Sequence, residues 1–167
     1  KMGTITNGSQ TINHGGSMSV TLSPATGYHY VSNNCGGTVN GNTMTISNIT
    51  TAKTCTVTYG INQYAVTVNS NNTNMGTIGN GSQTINHGGS MSVTLSPKTG
   101  YKYSSNNCSG TVSGNTMTIS NITAAKTCTV TFILDESKTL AGVIKSAYPS
   151  RGARTSFNAV YTTTAMH

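Results

Sequence analysis

Four cysteines are the residues of this 167-residue chain best placed to do chemistry. Cys35 and Cys55 stand 20 apart, and Cys108 and Cys128 repeat that spacing. Two chemistries compete for such a set. A zinc site wants short Cys-x₂₋₄-Cys pairs or Cys/His clusters, and neither occurs here. Disulfides need only pairs, and four cysteines allow three connectivities. The equal spacing favours Cys35–Cys55 with Cys108–Cys128. Closing a loop of that length is worth about 3 kcal/mol in the chain-entropy picture. Disulfides imply an oxidising, extracellular location, and no metal or other cofactor is expected.

The remaining polar side chains are poorly equipped for catalysis, and the chain is not expected to be an enzyme. Asp135 and Glu136 are the only acids, so paired-carboxylate acid/base work is ruled out before position 133. His14 and His87 each sit in an Asn-His-Gly-Gly turn, far from any acid that could orient them. No phosphate-binding loop, dinucleotide fingerprint or metalloprotease helix is present. Asp135 or Glu136 could promote a Lys–Asn crosslink, but no particular pair is indicated. Asn-x-Ser/Thr sequons at Asn7, Asn48, Asn71, Asn80, Asn107 and Asn121 are potential glycan acceptors.

The cysteine pairs recur because the chain does. Residues 2–59 return as 75–132 at an offset of 73, without insertion or deletion. Eight positions differ: Thr6/Gly79, Ala25/Lys98, His29/Lys102, Val31/Ser104, Gly36/Ser109, Asn40/Ser113, Thr51/Ala124 and Tyr59/Phe132. So close a tandem copy means a modular array. Modules this small have marginal cores and often need a covalent staple.

Strand signals fill each repeat. Residues 17–24 alternate, with Met18, Val20 and Leu22 on one face, and residues 43–49 do the same with Met44 and Ile46. Residues 55–59 place Cys55, Val57 and Tyr59 together, pointing Cys55 at the core. Asn40-Gly41 predicts a type I′ hairpin. Asn7-Gly8 and Gly15-Gly16 mark further turns, with a short strand at Thr11-Ile12. The expected fold is mainly β: two tandem disulfide-stapled sheet modules, β-grasp-like or β-sandwich-like, plus a C-terminal tail.

Between the repeats, residues 64–68 form a clear strand that would serve as the first strand of the second module. Nothing equivalent precedes the first module in this sequence, so one of its edges should be open, and an open edge invites pairing with another chain. The modules are therefore residues 1–60, lacking a first strand, and 61–132, followed by a tail at 133–167. Within the tail, Leu140, Val143, Ile144 and Ala147 fall at helical spacing, with Pro149 just beyond; a strand or linker is the alternative. Residues 157–167 resemble 63–74, with Ala159-Val160 matching Ala65-Val66. From Ala65 to Met75 is 10 residues; from Ala159 through His167 to Met2 of a following copy is 8 + 2 = 10. Asn158, Ala159, Val160, Tyr161, Thr162 and Thr163 are the expected assembly strand. Donation to a neighbouring subunit, continuation in a longer repetitive polypeptide, and a chance match all fit this register.

Composition narrows the setting. Only 7% of residues are charged, and the formal net charge of +7 comes from nine scattered Lys and Arg. Without a dense basic run or interleaved aromatics, nucleic acid is not an expected partner. No apolar run is long enough for a transmembrane helix, and no signal peptide is visible. The chain opens with a repeat under way, as an excised or processed piece would.

The Gly-Thr-Ile opening, the Ser-Val-Thr-Leu-Ser-Pro strand, Thr-Gly-Tyr at 26–28 and 99–101, the Cys-Gly-Gly or Cys-Ser-Gly turn and the closing Cys-Thr-Val-Thr strand resemble the internalin-type B-repeat of bacterial surface proteins. The resemblance covers both modules but not residues 133–154. It implies a small β-rich module of large secreted or wall-linked proteins, and it says little about ligands. The expected function is structural: an extracellular protein whose copies assemble into a fibre, pilus or sheath by strand complementation. The alternative is an adhesin stalk whose variable positions 29, 31, 98 and 102 touch a cell-surface glycan or host protein.

Overall fold

A computed structural model describes residues 1–138 of the chain; positions 139–167, with the expected tail helix and assembly strand, lie outside the described residues. By contact density the chain divides into two compact units. One comprises residues 1–65, 84–90 and 120–125; the other comprises 66–83, 91–119 and the residues from 126 onward.

Repeat 1 contributes β1 (Gly3–Thr6), β2 (Gly16–Pro24), β3 (Tyr28–Asn33), β4 (Thr38–Asn40), β5 (Thr43–Ile49) and β6 (Val57–Ile61). They form a four-stranded sheet in the order β1-β2-β5-β4 and a two-stranded ribbon, β3-β6. Then comes β7 (Gln63–Ser70), which contains the expected linker strand. Repeat 2 follows with β8 (Gly76–Gly79), β9 (Ser82–Asn86), β10 (Gly89–Pro97), β11 (Tyr101–Asn106), β12 (Thr111–Ser113), β13 (Thr116–Ile122) and β14 (Lys126–Leu134). Its sheets are both four-stranded, β12-β13-β10-β8 and β11-β14-β7-β9. A 3-10 turn, Glu136–Lys138, ends the described chain.

Period-two alternation explains these strands. In β10, Met91, Val93 and Leu95 are each 1% exposed while the serines and threonines between them face water. Met117 and Ile119 of β13, and Cys128, Val130 and Phe132 of β14, complete that core. The two layers meet closely: a Cβ added to Gly76 of β8 would stand 2.7 Å from the Phe132 ring of β14. With no α-helix among the described residues, the module is sandwich-like, and the β-grasp form does not apply. Repeat 1 buries the equivalent cluster of Val20, Leu22, Met44 and Ile46.

The hairpin at 40–43 departs from expectation. Asn40 pairs with Thr43, so the two-residue loop is Gly41-Asn42 and not Asn40-Gly41. Only Gly41 has positive φ, at 61°, which is the pattern of a type II′ turn rather than type I′. Glycine at the first loop position decides the type, because the residue before it is already in the ladder.

The cysteine loops are held by asparagine. Asn106 Oδ1 accepts from the backbone N–H of Cys108 (3.1 Å) and Gly110 (2.8 Å), while its Nδ2 donates to Tyr103 Oη (2.8 Å) and the Gly110 carbonyl (2.9 Å). All four bonding positions of the amide are filled. Asn33 repeats the arrangement around Cys35. Asn107 Oδ1 then takes the Thr129 N–H at 2.8 Å, tying the loop to β14 beside Cys128. Asn106→Ala leaves two loop amides and a tyrosine hydroxyl without their partner. It should destabilise the protein by about 2 kcal/mol, read as a lower urea midpoint at unchanged slope.

Candidate functional site

Both disulfides form as the spacing indicates, Cys35–Cys55 and Cys108–Cys128, with Cα atoms 5.6 and 5.7 Å apart. Their surroundings differ, and the difference defines the candidate site. Cys128 is fully buried, whereas Cys55 is only half-buried.

The cause is β7. It runs parallel to β14, with Lys126 opposite Val66, Cys128 opposite Val68 and Val130 opposite Ser70. On its other side lies β9, and the Val68 N–H donates to the Gly81 carbonyl at 2.6 Å. Val66 and Val68, 0% and 3% exposed, are buried on β7, with Val68 in register with Cys128. Burying two such side chains is worth about 3–6 kcal/mol. Ser70 Oγ donates to the Gly76 carbonyl (2.7 Å), and the Asn71 side chain brackets Phe132, accepting from its N–H (2.9 Å) and donating to its carbonyl (3.3 Å).

In repeat 1 no described strand takes the place of β7, and both of its would-be neighbours lose strand form. Residues 9–13 have the same sequence as β9 yet are irregular, so the strand expected at Thr11-Ile12 is absent. Residues 53–56 match the start of β14, but β6 begins only at Val57, so Cys55 and Thr56 fall outside the strand expected at 55–59. A strand is defined by its partner's backbone, and among the described residues these segments have none on that side. The core opens with them. Met18, Ile49, Cys55, Val57 and Tyr59 are half-buried, while their counterparts Met91, Ile122, Cys128, Val130 and Phe132 are at most 1% exposed. Among the described residues an open groove of about 370 Å³ remains, floored by Val20, Met44 and Ile46 and flanked by Gly8–Gln10, Lys53–Cys55 and Val57. Chemically it offers an apolar trough between two irregular backbone stretches that, among the described residues, have no strand between them, with no titratable pair at its floor.

The other singled-out residues lie elsewhere. His29 Nδ1 meets Asn62 Oδ1 at 2.7 Å, and Lys102 lies 3.7 Å from Asp135. Val31 is 52% exposed. His87 packs on Tyr64, whose hydroxyl is 3.1 Å from Nδ1, while His14 is exposed. Among the described residues no group of three or more His, Cys, Asp and Glu side chains gathers as a metal site would require. The residues sequence reasoning passed over are the floor of the groove. Its only signal was the missing linker strand, since Val20, Met44 and Ile46 read as ordinary core.

A family model for the divergent InlB B-repeat domain matches residues 1–63 and 66–136. The chain belongs to that family. No match was found among curated proteins or among solved structures. The two B-repeats thus share one sequence pattern, and among the described residues only the second carries a β7-type strand.

Asp135, buried at the close of the second B-repeat, is held below its ordinary carboxylate value chiefly by the Ser137 hydroxyl at 2.7 Å, with smaller help from Lys102 and Lys138. A lowered folded-state pKa stabilises at neutral pH and is lost as the pH falls through it. Exchange at Ser137 and Lys138 should therefore quicken, relative to the core, only in strongly acidic solution. At neutral pH, amide exchange at residues 9–13 and 53–55 should run at least about 100-fold faster than at 82–86 and 126–128. Equal protection of the two sets would show the groove to be filled in solution.

Proposed function

We propose that this is an extracellular structural protein of the bacterial surface whose copies join by strand complementation. Residues 1–60 and 61–132 act as stiff β modules, and the first is completed by a strand, residues 158–163, from another copy. The reading rests on a single observation: among the described residues, repeat 1 has an open groove where repeat 2 holds β7. Strand addition supplies what such a groove lacks, main-chain partners for its walls and alternating side chains for its floor. Because donor and acceptor lie in different parts of one chain, the contact is heterologous and propagates into a filament, as a pilus or sheath requires.

Membership of a surface-repeat family and the two disulfides support the extracellular setting. So does the chain's sparse charge, which suits a surface packed against copies of itself. No helix among the described residues is long and apolar enough to cross a membrane. The adhesive alternative finds less support, because His29 Nδ1 and the Lys102 ammonium already have partners within the chain, Asn62 and Asp135.

Removing residues 158–167 tests the proposal. The full chain should form concentration-dependent oligomers or fibres under electron microscopy, and the shortened chain should remain monomeric. Fibres that persist after the deletion would refute the donated strand. A full-length monomer with a protected groove would show that the tail closes on its own module.

A further inference from the structure

We infer that the groove of repeat 1 accepts its strand in one register only, with Val160 and Thr162 as the residues that set specificity. The inference rests on the strand-donation reading above and gives it atomic content.

Repeat 2 supplies the template. With the offset of 73 residues, the pairs Lys126↔Val66, Cys128↔Val68 and Val130↔Ser70 map onto Lys53, Cys55 and Val57 of repeat 1. Matching Ala159-Val160 to Ala65-Val66 then sets Val160 opposite Lys53, Thr162 opposite Cys55 and Thr164 opposite Val57, parallel to that wall. In β7 the inward side chains are Val66 and Val68, while Ala65 and Asn69 are exposed. Val160 and Thr162 inherit the inward places; Ala159 and Thr163 inherit the outward ones. The hydroxyl of Thr164 falls where Ser70 Oγ bonds the Gly76 carbonyl at 2.7 Å, and the matching acceptor in repeat 1 is the Gly3 carbonyl. The opposite wall supplies the Gly8 carbonyl, counterpart of the Gly81 carbonyl that takes the Val68 N–H.

One position is chemically mismatched. Threonine has the shape of valine, so Thr162 fits the volume of Val68. Its hydroxyl would, however, face the apolar lining formed by Val20, Met44, Ile46 and Cys55, and a buried hydroxyl without a good acceptor weakens binding. The tail therefore fills the groove less tightly than β7 fills repeat 2. A one-residue slip would turn Ala159, Tyr161 and Thr163 inward and leave Val160 in water, because side chains alternate strictly along a strand.

The test uses the full-length chain and its association constant from sedimentation. Thr162→Val should tighten association about tenfold. Val160→Asp should weaken it by at least about 100-fold, since it sets a carboxylate on the apolar floor. Thr163→Asp, facing outward, should change it less than about threefold. Weakening by Thr163→Asp with Val160→Asp harmless would overturn the register while leaving strand donation standing. Tightening absent in Thr162→Val, with Val160→Asp disruptive, would overturn the specificity role of Thr162. Association unmoved by all three, or absent in the parent chain, would remove the strand-donation reading and this inference with it.

Discussion

The parallel pairing of β7 with β14 is the contact on which the completeness of a module depends. It orders the segment on either side of it and adds Val66 and Val68 to the buried core beside Cys128. The comparison with repeat 1 is internally controlled. Ser9-Gln10-Thr11-Ile12-Asn13 and Ser82-Gln83-Thr84-Ile85-Asn86 are the same pentapeptide, yet only the second is a strand. Lys-Thr-Cys at 53–55 and at 126–128 behaves the same way. Local propensity is identical in each pair, so the neighbouring backbone alone decides. Strand propensity is largely a statement about the surface a segment joins.

Much of the fold was legible because it depends on alternation. Met18, Val20 and Leu22, and Met44 and Ile46, recur at period two, and that pattern survives whatever lies beside the strand. The linker strand was equally clear for the same reason. What could not be read were properties set by partners. Thr11-Ile12 and Cys55-Thr56 carry strand sequences but lack the strand to pair with. The turn at Gly41 was misassigned because Asn-Gly is a signal for φ, whereas register is fixed by which residue last enters the ladder. The asparagine boxes at Asn33 and Asn106 gave no sequence signal beyond polarity, since four bonds to one amide arise from the path of the loop around it.

The differences between the repeats follow the same logic. Seven of the eight are at positions outside the core. The exception, Tyr59 against Phe132, lies beside the groove. Phe132 is 1% exposed and has its backbone bracketed by Asn71, the residue just after β7. Tyr59 has no such bracket, is half-buried, and donates its hydroxyl to the Thr4 carbonyl at 2.8 Å. A tyrosine is tolerated where one end of the ring can reach a polar partner. Loss of the β7-type contact provides that freedom, and the sealed core around Phe132 removes it.

An open slot inside a sheet differs physically from an open edge. An edge strand presents one row of backbone groups to solvent and can pair with almost any extended chain, which is why natural sheets blunt their edges. The groove of repeat 1 has two walls, at Gly8–Gln10 and Lys53–Cys55, over an apolar floor. A strand entering it must satisfy both walls and also place its small apolar side chains downward, because a slip by one residue inverts every side chain. Irregularity of the walls when empty protects them further. Residues 9–13 and 53–56 present no preformed ladder, so a passing strand gains hydrogen bonds only after ordering both segments, at an entropic cost of about 1–2 kcal/mol per residue fixed. Only a strand that also fills the floor recovers that cost. If strand addition is the function, its selectivity comes from the groove being both deep and unformed, a combination that an equally apolar but flat edge lacks.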